Sequence, residues 1–259
     1  MKLILPNISR TFRSLGLVVT AALISLNAYA QPINEGFTNV QSLFTSGWAQ
    51  QNLSNPLGAS TYVQGSTTVF IANSSPDSSF VACNYNSTTG AGTISNWLFT
   101  PTRAFNNGDI ITFFTRSAGG TYPDALQFRL STNGASVNVG ATATSVGDFT
   151  TLLVDINPTL TTTGYPAVWT QYSATISGLA GPTTGRAAFR YFVTNGGPTG
   201  SNSDYIGIDN YVYTPAGAGT AEVGITSVTP GQYTLIPESQ VSSFNLSATV
   251  QNSGTAVAN

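Results

Sequence analysis

Alternating apolar and polar positions recur along most of this chain. In Leu126-Gln-Phe-Arg-Leu-Ser131, Leu126, Phe128 and Leu130 fall on one face and Gln127, Arg129 and Ser131 on the other. That period of two predicts a half-buried strand. Ala187-Ala-Phe-Arg-Tyr-Phe-Val193 carries aromatic residues on both faces, as a central strand covered on two sides would. Arg190 then needs a buried carboxylate or carbonyl partner. Further strands are predicted at 67–72, 79–84, 97–100, 109–115, 170–176 and 205–213. Residues 149–156 fit a strand or a short helical turn. Asn106-Asn-Gly-Asp109, Ser131-Thr-Asn-Gly134 and Asn195-Gly-Gly-Pro198 supply turn chemistry between them. Many short strands with such turns indicate an all-β sandwich or jelly roll.

The N-terminus follows a different pattern. Lys2, Arg10 and Arg13 precede the apolar run Leu15–Leu26, which ends at Ala28-Tyr29-Ala30. This order of parts is that of a cleavable secretory signal over residues 1–30. The run is shorter than the roughly 20 apolar residues of a spanning helix. The expected destination is therefore outside the cell, secreted or at the surface, with no transmembrane segment in the mature chain.

The pattern breaks again after Tyr211-Val-Tyr-Thr-Pro215. Residues 216–221 are small and flexible, as linkers are. A new β-pattern starts at Glu222-Val-Gly-Ile-Thr-Ser-Val-Thr-Pro230, and Phe244-Asn-Leu-Ser-Ala-Thr-Val250 alternates clearly, with a turn expected at 251–255. Two strands alone are marginal, so residues 222–259 read as an incomplete module.

Charge narrows the chemistry. Charged residues make up 7% of the chain. Beyond residue 30 the only cations are Arg103, Arg116, Arg129, Arg186 and Arg190, against ten acids, a net charge of −5. A nucleic-acid partner lacks its electrostatic footprint. There is no His, and no Lys beyond the leader. Ser-His-Asp and Ser-Lys catalysis are excluded on that ground. Asp124, Asp148, Asp155, Asp204 and Asp209 form no recognisable glycosidase pair. The single cysteine, Cys83, has no base to activate it and reads as a buried small apolar residue. No enzyme is expected.

Several runs together resemble a known family. They include Glu35-Gly-Phe37 with Gly47-Trp48, Gln64-Gly65 with Val69-Phe70, Ile94-Ser-Asn-Trp-Leu-Phe-Thr-Pro101 and Asp124–Gly134. They continue with Val146–Thr150, Trp169–Tyr172, Arg186–Val193 and Asp204-Tyr-Ile-Gly-Ile-Asp-Asn210. Residues 31–215 resemble the cleaved-adhesin jelly roll of bacterial surface proteins, in the form called choice-of-anchor J, with a galactose-binding-like β-sandwich. The tail over 222–259 looks like the opening of an immunoglobulin-like module.

The resemblance implies a structural calcium ion in some relatives. Calcium takes six to eight oxygen ligands; Glu35 and Asp209, on terminal strands that can lie side by side, and Asp77 in a loop are the candidates. Ligand recognition would use aromatic faces and hydrogen-bonding side chains. Trp48, Trp169, Asn202 and Asp204 are the candidates for that role. The expected function is a non-catalytic adhesion or recognition module for a glycan or a matrix or surface protein. The alternatives are an architectural spacer and an accessory domain of a secreted hydrolase.

Overall fold

The computed structural model describes residues 31–216, 223–229 and 247–252. The expected leader, most of the linker and much of the tail lie outside these residues. In chain order the strands are β1 (Ile33–Glu35), β2 (Ala49–Asn52), β3 (Asn55–Leu57), β4 (Val63–Gln64), β5 (Val81–Asn84), β6 (Thr88–Phe99) and β7 (Arg103–Phe105). They continue with β8 (Ile110–Ser117), β9 (Leu126–Ser131), β10 (Thr151–Ile156), β11 (Thr170–Thr175), β12 (Thr183–Gly196) and β13 (Tyr205–Thr214). One short helix, α1 (Val40–Leu43), is capped by the Asn39 side chain, which accepts from the Ser42 N–H.

These strands form two antiparallel sheets packed face to face. One runs β11-β8-β13-β5-β4, with β1 also on β13. The other runs β10-β9-β12-β6-β2, with β3 on β6 and β7 on β12. The non-sequential order is that of a jelly-roll sandwich. Between the sheets lie Val81, Cys83, Ile94, Leu98, Phe113, Leu126, Phe128, Phe189 and Tyr211. Phe189 meets Phe113 edge-on, with ring centroids 4.9 Å apart and planes at 87°, a geometry favoured by the ring quadrupoles. The predicted inward set Leu126, Phe128 and Leu130 is buried as expected.

Residues 149–156, open between strand and turn, hold the strand β10. The predicted strand over 67–72 is absent. That segment runs unpaired across the outer face of the first sheet. Phe70 and Ala72 cover a small second core with Phe80, Ala82 and Tyr205, while Val69 and Ile71 face solvent. Alternation there reflects a loop with one covered side, which sequence periodicity reads as a strand.

The second sheet's outer face is covered by residues 132–150, which place Val139 and Phe149 on Trp97, Phe99 and Ala188. Arg190 is buried beneath this cover. Its Nη2 donates to the Ala143 carbonyl at 2.6 Å, Nε to Ser95 Oγ at 3.1 Å and Nη1 to Gln127 Oε1 at 3.2 Å. The guanidinium also sits 3.9 Å from the Phe192 ring centroid. The expected carbonyl partner is thus present.

Strand β13 carries a register shift between Asp209 and Val212, and Asn210 has φ +48°. The extra residue reverses the alternation. Ile206 and Ile208 point into the core before it, Tyr211 and Tyr213 after it. Tyr205, Gly207 and Asp209 are thereby left on the outer face. In the tail, β14 (Val223–Thr229) and β15 (Ser247–Asn252) pair antiparallel. Gln251 and Asn252, expected in a turn, belong to β15. The immunoglobulin-like expectation rests otherwise on residues outside those described.

Candidate functional site

Three connections cross between the sheets at the same end of the sandwich: β5 to β6, β8 to β9, and β12 to β13. They bring together Tyr85, Tyr122 and Asp204 around a cleft of about 360 Å³, floored by Gly197, Gly200 and Ser203. Tyr85 and Tyr122 are 38% and 53% exposed, enough to offer ring surface to a ligand.

The cleft is built rigidly. Gly197 has φ +105°, and a Cβ there would lie 2.0 Å from the Gly90 carbonyl oxygen; only glycine suits the position. The Gly197 N–H donates to Ser203 Oγ at 2.8 Å, and the Ser203 N–H to the Pro123 carbonyl at 2.9 Å. The Asp204 carbonyl accepts from the Tyr85 N–H at 2.9 Å, tying two of the three connections together.

Beneath the cleft lies Asp124, buried at the start of the segment leading into β9. Its Oδ1 accepts from the Asp204 N–H at 2.8 Å and from the Tyr191 hydroxyl at 2.5 Å. Burial raises its carboxyl to about 6, although both hydrogen bonds favour the charged form. Burial also raises the Asp204 carboxyl. The Asp204 side chain makes no hydrogen bond among the described residues, so its oxygens are open to a ligand in the cleft.

Of the four expected ligand residues, only Asp204 lines this cleft. Asn202 braces the loop: its Nδ2 donates to the Thr194 carbonyl at 2.7 Å. Trp48 is buried against Phe37 and Tyr211, with centroids 5.6 and 5.4 Å away, so its faces meet the core and not solvent. Trp169 lies on the first sheet's outer face, edge-on to Phe70 and Phe80, and its Nε1 donates to the Ile71 carbonyl at 2.9 Å. Sequence reasoning missed Tyr85 and Tyr122. Their signal was weak: tyrosines at a strand end and in the Gly-Gly-Thr-Tyr-Pro turn.

The three expected calcium ligands are placed differently from one another. Asp209 is buried on β13. Its Oδ2 accepts from the Asn73 N–H at 2.9 Å and from the Ser74 N–H and hydroxyl at 3.3 and 3.4 Å; its Oδ1 accepts from the Asn210 N–H at 2.7 Å. Burial raises this carboxyl to about 6. Glu35, on the neighbouring β1, accepts from the Phe37 N–H at 2.8 Å. Asp77 is exposed. Among the described residues no three His, Cys, Asp or Glu side chains gather as metal ligands. A ring of N–H donors around Asp209 satisfies its carboxylate as an anion.

The opposite end of the sandwich carries the chain's entry and exit. Asp109, at the start of β8, accepts from Tyr213 Oη at 2.5 Å and from the Ala216 N–H at 2.7 Å. Ile33 pairs there with Tyr213. The ten residues of β13, at a rise of about 3.3 Å each, separate the cleft from Ile33 and Thr214, where the sandwich begins and ends, by about 30 Å.

No family profile and no curated protein matches the sequence. Among solved structures, the K1 cleaved adhesin domain of Lys-gingipain from Porphyromonas gingivalis W83 is similar: 18% identity, 72% of this chain and 99% of that one, TM-score 0.49. The K2 cleaved adhesin domain of Lys-gingipain gives 16%, 71%, 99% and 0.47. A carbohydrate-binding module of the β-sandwich superfamily gives 12%, 70% and 63%, with a TM-score of 0.40. At such identities and scores the likenesses carry no argument about ligand or activity; the sheets themselves define the fold class. Among the described residues no helix is long and apolar enough to cross a membrane.

Proposed function

We propose that this chain is a non-catalytic extracellular recognition module that binds glycan through the Tyr85–Tyr122–Asp204 cleft. One observation carries the reading. Two exposed tyrosines and a carboxylate with open oxygens meet in a preformed cleft, at the end of the sandwich opposite Ile33 and Thr214. Aromatic faces stack on the apolar faces of sugar rings, while the carboxylate accepts from hydroxyls. A rigid floor lowers the ordering cost of binding. A site remote from Ile33 and Thr214 is free to meet a surface while that end of the sandwich is tethered.

In this reading residues 31–215 are a cleaved-adhesin domain of the choice-of-anchor J type, exported by the leader and followed by an immunoglobulin-like module. Calcium enters only as a structural ion near Glu35, Asp77 and Asp209. To bind it, segment 73–77 would have to turn oxygens toward Asp209 in place of N–H groups. A melting temperature raised by calcium, and no longer raised in Asp209→Asn, supports the ion; an unchanged melting temperature removes it.

The test of the main reading is binding of the purified protein to glycan and matrix-protein arrays, alongside Tyr122→Ala and Tyr85→Ala. Glycan binding lost in both variants supports the cleft. Silence on every array, with the protein folded, favours the spacer. Binding confined to a matrix protein replaces the glycan as partner.

A further inference from the structure

A second hollow, of about 450 Å³, adjoins the cleft across Pro198, which lines both. Its other walls include Ser60, Thr61, Val63, Asn86 and Thr89. Tyr85 faces the first hollow and its chain neighbour Asn86 the second. The ridge between them is held from below, where the Gly200 N–H donates to the Gly197 carbonyl at 2.9 Å. The far wall is held by the Ser60 N–H, which donates to the Asn86 carbonyl at 3.0 Å, and by Thr89 Oγ1, which donates to the Leu57 carbonyl at 2.8 Å.

The side chains of Thr61 and Asn86 make no hydrogen bond among the described residues. They leave a hydroxyl and an amide, two donors and acceptors suited to sugar hydroxyls. Val63, 40% exposed, adds an apolar surface. The second hollow has no aromatic wall, so by itself it would hold a sugar weakly.

Charge restricts what can lie here. None of the five arginines beyond residue 30 lines either hollow. Arg103, Arg116 and Arg186 donate to the carbonyls of Gln31, Ala167 and Gly47, Arg129 donates to the Phe149 carbonyl, and Arg190 is interior. An anionic chain would find no counter-charge and would meet Asp204.

From this geometry, and resting on the cleft being a glycan site, we propose that the two hollows form one groove for a linear, uncharged polysaccharide. Sugar units stack on Tyr85 and Tyr122, the chain crosses Pro198, and further units hydrogen-bond to Asn86 and Thr61. Engaging the second hollow becomes intramolecular once the first is filled, so affinity should rise steeply with chain length.

The experiment is titration calorimetry of the purified protein with gluco-, xylo- and manno-oligosaccharides of two to six units, and with oligogalacturonates as anionic probes. The expected result is a hexamer bound at least about tenfold more tightly than the dimer in one neutral series, with oligogalacturonates bound more weakly. Asn86→Ala with Thr61→Ala should bring hexamer affinity down toward that of the dimer and leave the dimer unchanged. Tyr122→Ala should weaken both. Equal affinity for dimer and hexamer, with the double variant silent, overturns the groove and leaves the single-cleft reading standing. Tighter binding of oligogalacturonates overturns its neutrality. No binding of any oligosaccharide by folded protein overturns both.

Discussion

The Asp124 carboxylate holds the Asp204 backbone N–H at 2.8 Å, joining a buried anion to the residue that lines the cleft. Loop position is thus coupled to the packing of the core, because the same oxygen also accepts from Tyr191. Replacing Asp124 by Ala leaves the tyrosine hydroxyl and the Asp204 N–H without a partner. The expected cost is about 2–3 kcal/mol of stability, the penalty for orphaned buried donors. Urea unfolding measures it; a loss under about 0.5 kcal/mol would show that water takes over the bonds.

Stability should depend on pH in an unusual sense. Asp124 and Asp209 are both raised to about 6 in the folded chain, whereas an unfolded aspartate titrates near 3.9. Between those values the native state binds more protons than the unfolded state, so stability falls as pH rises through the window. The contribution is fully present below about pH 4 and lost above about pH 6, on the order of 3 kcal/mol per group. Melting temperatures measured from pH 4 to 7 should decline, and Asp124→Asn should flatten part of the decline. A rise across that range would contradict the assignment.

Cys83 should be inert in the native protein. It is fully buried, and burial pushes its thiol up to about 12, so almost no thiolate forms at neutral pH. A thiol reagent at pH 8 should label it only as fast as the chain unfolds. Rapid labelling without unfolding would place it nearer the surface.

Arg190 should not be replaceable by Lys. Its planar fork reaches three oxygens and two aromatic faces at once, which a single ammonium cannot do. Arg190→Lys should cost about 2 kcal/mol or more in chemical unfolding, since each hydrogen bond to a charged group is worth about 1.5–3 kcal/mol. Near-equal midpoints would mean that the cover over 132–150 repacks.

Gly197→Ala separates cleft shape from global stability. The new Cβ meets the Gly90 carbonyl at a backbone angle that disfavours any side chain, so the loop must shift, at a local cost of about 1–3 kcal/mol. Glycan binding should fall at least about tenfold, as expected for a site dependent on preorganisation. Circular dichroism should retain the β-spectrum. Unchanged binding would move the ligand away from this loop.

Much of the architecture was legible because strand alternation is a local property. Leu126, Phe128 and Leu130 announce their buried face within six residues, and Arg190 between aromatics announces a covered sheet. The same local rule misread 67–72, where one-sided burial comes from a loop lying over Phe80 and Tyr205 and not from pairing. Trp48 and Trp169 lie near expected strand starts, where a rim position is open to them. The fold buries Trp48 beside Tyr211 and sets Trp169 on the sheet face away from the cleft, neither of which their neighbours in sequence encode.

By itself the sequence determined an all-β chain poor in charged residues, without His and with arginine as its only cation beyond residue 30. Those facts restrict its chemistry wherever the residues fall, because composition does not depend on position. The tertiary structure alone decided that Tyr85, Tyr122 and Asp204 share a cleft. They are far apart in the chain and meet only because three crossings between two sheets end at the same edge of the sandwich. It also decided that Asn202 supports this site without lining it, since the direction of a loop side chain depends on the hydrogen bonds available once the strands on either side have paired.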